Sequence, residues 1–535
     1  MSAKHLVRQH LATILYSALA IALLMAIPAH GQTYSVVGNI TNGSLGNPSG
    51  QTVQGRNSDV YVVSPGNGWL FSATTTGTFA GVSEVGGPSG VTLGTNGDLY
   101  TNFVYDRDGC GEVDQTTPAG TYTVLATLCG TDGSLPYSAP IQAASGIFYG
   151  TASEGGTDNE GTIYSMTSSG TVTLLHSFVG TDGSYPYAQL VVGSDGNLYG
   201  GTSSGGTNND GVLFKITPQG TYTVLHNLEG SDGQEINDGL CLGSDGNLYG
   251  VTYRGGDGSG VIFKLSNGGV YTVLYNIPYT YSLPGSGLVQ ASDGKLYGVI
   301  AQGNSSQPGW IYNITTGGTF SIVYQFCQDT DCSDGIAPST PLIQHTNGLL
   351  YGFTVHGGDS SLCDDVGCGV MYSLNIGAKA FAALQTTSGK EGAKIGILGQ
   401  GFTSATVVKF GGTEATTVTR SGSTYLTATV PADALTGSVT VTTGATVLTS
   451  SKTFDVLPTA PTFSPTSGPV GTLVTITGTG LTQTTKVEFN GKSAGFTVVS
   501  DTEITATVPT GATTGRIGVT TKGGTVETST KFTVN

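Results

Sequence analysis

The chain has 535 residues, of which 85 are Gly and only 10% are charged, with a formal net charge of −16. Beyond the first thirty residues it lacks the long amphipathic patterns that helices require, so a helical architecture is excluded and many short strands joined by Gly-rich turns are expected. The charge is uneven: residues 33–377 carry 6 Lys and Arg against 27 Asp and Glu, whereas residues 378–535 carry 11 against 8. So acidic a first part would repel phosphate, which argues against nucleic acid as a partner.

At the start, Lys4 and Arg8 precede an apolar run from about Leu11 to Ile27, and small residues follow near Ala29 and Gly31. This is the pattern of a secretory signal peptide over residues 1–31, which places the mature chain outside the cell. No later stretch is apolar enough to span a bilayer, and no cysteine follows the run to carry a lipid. The remaining length exceeds one ordinary core, so several domains are expected.

Residues 32–377 are dominated by a repeat. GSDGNLYG ends at Gly200 and again at Gly250, with variants ending at Gly150, Gly298 and Gly352. The aromatic residues Tyr100, Tyr149, Tyr199, Tyr249, Tyr297 and Tyr351 thus recur about every fifty residues, and Tyr61 supplies a divergent first copy. Each copy divides into four strand patterns; around Tyr199 they are residues 188–193, 197–202, 211–217 and 221–228. An Asp-Gly turn joins the first two. Four antiparallel strands repeated seven times predict a seven-bladed β-propeller. YSVVGNI, Tyr34–Ile40, resembles a fourth strand that precedes any complete copy, and Ala380–Leu384 competes with it for the last blade; the favoured arrangement has the N-terminal strand closing the ring and Ala380–Leu384 leading outward.

The DGNLYG string, the GG followed by G-V-x-F-K, and the TVLH segment running to a DG resemble the GloVer (Gloeo–Verruco) tandem repeat. That resemblance implies export and repetition and brings no activity with it.

From residue 378 the repeat changes scale. TSGKEG (Thr387–Gly392) returns as TSGPVG (Thr466–Gly471), GQGF at Gly399 as GTGL at Gly478, VKF at Val408 as VEF at Val487, and TATVP at Thr427 again at Thr505. Two units of about eighty residues, 378–457 and 458–535, suit small β-sandwiches. They resemble the IPT/TIG immunoglobulin-like family, which here implies extracellular modules acting as spacers or docking units.

Seven cysteines in an exported chain predict disulfides. The candidates are Cys110 with Cys129, Cys327 with Cys332, and Cys363 with Cys368, leaving Cys241 as a buried free thiol. His176 and His226 fall at one repeat position, which repetition explains, and no Ser/His/Asp arrangement or other catalytic constellation emerges. Asp106, Asp108 and Glu112, in DRDGCGE, are the weak calcium candidates; no other cofactor is indicated. In a propeller the two longer connections of each repeat share one face, so most of the acids, among them Glu154, Asp158, Glu160, Asp182, Asp210, Glu235 and Asp238, should lie together. Asp59, Asp98, Asp195, Asp245 and Asp293 should lie on the opposite face. Trp69, Trp310, Tyr253, Tyr279 and Tyr281 depart from the repeat as candidates for sugar stacking.

The function expected is that of an exported, monomeric, non-enzymatic surface or adhesion protein, with the ring as platform for a glycan or protein ligand. A carbohydrate-active propeller, either glycosidase or lyase, and a calcium-dependent glycan binder are the alternatives.

Overall fold

A computed structural model describes residues 32–535 apart from 88–89, 105–108, 280–283, 302–307, 329–330, 362 and 364–366. The expected leader over 1–31 and the calcium candidates Asp106 and Asp108 therefore lie outside the described residues.

Seven antiparallel sheets follow one another in chain order. The fourth repeat forms strands Val191–Val192, Leu198–Gly201, Val212–Ile216 and Tyr222–Asn227, paired in sequence as one blade. The same meander occurs in blades 1, 2, 3, 5 and 6. Blade 7 lacks a fourth strand of its own. Thr33–Asn39 takes that place, pairing antiparallel with Val370–Asn375. The ring is thus closed by strands from opposite ends of the array, as its sequence suggested, and Ala383–Leu384 instead enters the first terminal module.

The Gly of LYG is a packing residue. In blades 3 to 7, Gly150, Gly200, Gly250, Gly298 and Gly352 face Tyr164, Phe214, Phe263, Tyr312 and Tyr372 across the second and third strands. A Cβ on Gly200 would sit 2.6 Å from Phe214 Cζ, so the missing side chain is the space that the ring fills. Blade 2 solves the same position differently, with Thr101 opposite Asp114.

Neighbouring blades are stapled near the outer rim. His176 lies flat on Tyr222 of the next blade, centroids 3.9 Å apart, and its Nε2 is 3.0 Å from Asp182 Oδ2. Tyr222 Oη donates to the Asp182 carbonyl at 2.7 Å. His226, Tyr271 and Asp232 repeat this unit, with ring centroids 4.1 Å apart. At the closing seam Tyr324 stacks on Tyr34 at 3.8 Å, and both hydroxyls reach Asp334. Tyr34 therefore stands where Tyr222 and Tyr271 stand in other blades, which is why the N-terminal strand can complete the ring.

The two terminal units are β-sandwiches with one topology. In the first, Ala383–Leu384, Lys394–Leu398, Tyr425–Thr429 and Val418–Ser421 face Thr413–Glu414, Val407–Phe410, Val439–Thr443 and Thr446–Thr449. The second repeats this order, and each has a short parallel pair that brings its last strand beside its first loop. Phe410 against Phe454, and Phe489 against Phe532, centre the two cores.

Candidate functional site

The two faces of the ring are built from different loops. Bridges Ser134–Glu154, Ser184–Ser204 and Gln234–Arg254 join each blade-to-blade connection to the second-to-third loop of the next blade, so these loops share one face. The short hairpin turns form the other. There each Asp of the SDG turn holds the aromatic residue of LYG: Tyr199, Tyr249 and Tyr297 donate to Asp195, Asp245 and Asp293 at 2.9, 2.7 and 2.8 Å.

Part of this turn face is covered. Arg56, in the first turn of blade 1, lies over the Tyr425 ring of the first module at 4.1 Å and donates to Gln385 Oε1 at 3.1 Å. Gln385 in turn donates to the Gly94 carbonyl in blade 2. Gln400 reaches Ser58 and Thr346 at 3.0 and 2.8 Å, and Thr424 Oγ1 donates to the Arg56 carbonyl at 2.7 Å. The module thus bonds to blades 1, 2 and 7 at once. Its Lys452 also acts on the thiol of Cys241, in the first strand of blade 5, against the larger effect of burial, which raises the thiol. Cys241 is a free thiol, as expected, and packs in the short first strand of its blade against the core.

The acidic face is open by comparison, and part of its charge has structural work. Asp182, Asp232 and Asp334 belong to the staples. Gln234 Nε2 donates to Asp210 Oδ1 at 2.6 Å, and Arg254 Nη1 lies 3.3 Å from Glu235 Oε1. Asp238 has no such partner among the described residues, and burial pushes its carboxyl up to about 6. Between blades 3 and 4 a pocket of about 400 Å³ opens on this face, lined by Glu160, Val179, Thr181, Ser184, Tyr185, Ser204 and Asn209 among others. Tyr185 is backed by Tyr187 at 6.5 Å, and Tyr187 meets Tyr137 edge-on at 4.9 Å.

None of those tyrosines was singled out by the sequence. The signal lay in the difference between consecutive repeats, SYPYAQL (Ser184–Leu190) against QEINDGL (Gln234–Leu240). The aromatic residues that were singled out are dispersed. Trp69 and Trp310 occupy the same position, at the start of the third strand of their blades, where they fill in for Val212. Tyr279 is 78% exposed, and Tyr281 lies outside the described residues. Disulfides join Cys110 to Cys129, Cys327 to Cys332 and Cys363 to Cys368. Glu112 lies on Gly111–Thr116, paired with Phe103 and Thr127. Among the described residues, no three His, Cys, Asp or Glu side chains converge as metal ligands, and no helix is long and apolar enough to cross a membrane.

No curated protein matches the chain. Among solved structures, a streptogramin B lyase is 16% identical and aligns over 64% of this chain and 98% of its own, with a TM-score of 0.46. Virginiamycin B lyase from Staphylococcus aureus is 14% identical over 64% and 99%, with a TM-score of 0.45. A gluconolactonase from Xanthomonas campestris is 12% identical over 51% and 88%, at 0.36. The propeller rests on its own strand pairing and not on these likenesses. The Gloeobacter/Verrucomicrobia repeat model matches residues 137–364, which begin in blade 3, and the IPT/TIG domain model matches 383–456 and 458–534. By these matches residues 137–364 carry Gloeobacter/Verrucomicrobia repeats, and residues 383–456 and 458–534 are two IPT/TIG domains.

Proposed function

We propose that the chain is an exported, non-enzymatic binding protein of the cell exterior, whose ring offers its acidic loop face to a glycan or protein ligand. The observation that carries this reading is the asymmetry of the two faces: the first IPT/TIG domain bonds to the turn face at blades 1, 2 and 7, and among the described residues it makes no bond to the loop face. Export is supported by the charged-then-apolar pattern of residues 1–31 and by three disulfides. The docked domain serves as a base for the ring, and the second extends that base toward whatever retains the protein. Calcium at the weak candidates Asp106, Asp108 and Glu112 belongs to the alternative reading, a calcium-dependent glycan binder.

The test is a screen of the full chain against a glycan array, insoluble polysaccharides and cell-surface protein extracts, with and without a calcium chelator. The reading predicts saturable binding to one class of ligand, and loss with chelator if calcium takes part. Binding to none would leave a purely structural role, and turnover of a bound polysaccharide would make the ring an enzyme.

A further inference from the structure

The seams between consecutive blades are built alike, which makes one of them informative. Between blades 4 and 5, the Gln234–Arg254 bridge fills the space: Gln234 takes Asp210 at 2.6 Å and Arg254 takes Glu235 at 3.3 Å. Between blades 3 and 4, the equivalent bridge joins Ser184 and Ser204. Two long side chains that bind carboxylates are replaced by two hydroxymethyl groups, and Glu235 is replaced by Tyr185.

The consequence is the pocket of about 400 Å³, within the ~300–1,000 Å³ range of small-ligand sites. Its chemistry is specific. Glu160, the counterpart of Asp210, has lost the amide donor that Gln234 supplies in the next seam. Asn209 uses its Oδ1 to accept from Gly205 N at 3.1 Å, which directs its amide donors elsewhere. Tyr185 is held with φ at +53°, its N–H on the Glu160 carbonyl at 2.9 Å, so the loop that carries the ring is fixed. An unengaged carboxylate, an amide donor, two serine hydroxyls and a tyrosine ring suit a ligand that presents adjacent hydroxyls on one edge and C–H groups on a face. A net charge of −21 over residues 33–377 disfavours an anionic one.

We propose that the seam between blades 3 and 4 binds one neutral sugar residue of a polysaccharide, with Tyr185 as the stacking platform and Glu160 and Asn209 engaging its hydroxyls. This rests on the reading that the loop face takes ligands, and it names the place and the class. Tyr187 and Tyr137 carry the aromatic surface on from the pocket, where a neighbouring sugar would lie.

The experiment is affinity electrophoresis of the full chain through gels containing neutral polysaccharides (xylan, galactan, laminarin), an anionic one (alginate) or a cationic one (chitosan). At least one neutral polysaccharide should retard the protein, and alginate should not. Ser184→Gln with Ser204→Arg puts the two long side chains of the next seam into this space, with Glu160 available to the introduced Gln as Asp210 is to Gln234, and should weaken binding at least tenfold. Tyr185→Asn, which tolerates the left-handed backbone, should do the same. Retardation by chitosan alone, or in no gel, would overturn the proposal. Undiminished binding in both variants would also overturn it, while leaving the loop face as the binding surface if a bulky label on that face still blocks.

Discussion

Single residues explain why this repeat tolerates some departures and not others. Gly200 leaves room for Phe214, so Gly200→Ala should destabilise the chain by about 1–3 kcal/mol through overpacking, and Phe214→Leu should recover part of that loss in the double mutant. Thermal or denaturant unfolding of the single and double variants checks it. Asp114 is the opposite case, a carboxyl with no exposed surface where other blades place an aromatic ring. The Tyr122 hydroxyl lies beside it without a hydrogen bond of good geometry, and burial pushes the carboxyl up to about 7. The raised value fixes the sign. The folded state keeps a proton that the unfolded state releases near its ordinary value of 3.8, so stability falls as pH rises from about 4 to about 7. The penalty is full above that, at about 1.4 kcal/mol for each pH unit crossed. Asp114→Asn should therefore raise the melting temperature at pH 8 and leave it nearly unchanged at pH 4; an equal shift at both would show that the carboxyl does not titrate in this range.

At the scale of elements, the ring depends on a strand far from its partner in sequence. Thr33–Asn39 closes blade 7, and Tyr34 continues the rim staple by stacking on Tyr324. Tyr34→Ala should cost about 3 kcal/mol or more and expose the closing seam first. Hydrogen exchange should show early loss of protection in Val370–Asn375, with blades 3 to 5 protected until global unfolding. Tyr34→Phe, which keeps the stack and loses one hydroxyl bond, should cost about 1 kcal/mol. This closure was legible beforehand because YSVVGNI carries the pattern of a fourth strand with no blade to join. Four strands per copy were legible for the same reason: the SDG hairpin and the spacing of Tyr199 and Tyr249 report local geometry. The staples and the pocket were not, since His176 meets Tyr222 and Ser184 meets Ser204 across a seam, and pattern within one repeat cannot show what stacks between two. Of the pocket's residues Glu160 was visible as a loop-face acid, but Ser184 and Ser204 were only small residues where the next copy has Gln234 and Arg254.

For the whole molecule, the arrangement of ring and modules decides what can be bound. The first IPT/TIG domain is attached through Gln385, Gln400 and Thr424 to blades 1, 2 and 7, so that part of the turn face is already occupied. The joint to the second domain is of another kind. Gln483 accepts from Thr436 N at 2.7 Å, and the Glu391 carboxyl interacts with that of Asp501 across the joint. Burial, helped by Asp501 and Asp433, pushes Glu391 up to about 7. Below that pH a protonated Glu391 donates to Asp501; above it two carboxylates oppose each other and the joint should loosen. Small-angle scattering should show a larger radius of gyration at pH 8.5 than at pH 5.5, and Glu391→Gln should remove the difference. The central claim is that ligands meet the loop face and not the turn face. In a Cys241→Ser background, a bulky maleimide label at Asp158→Cys should reduce binding of the best ligand at least tenfold, whereas the same label at Ser168→Cys, in a turn on the opposite face, should leave it unchanged. Unchanged binding with the label at Asp158→Cys, together with loss at Ser168→Cys, would contradict the account.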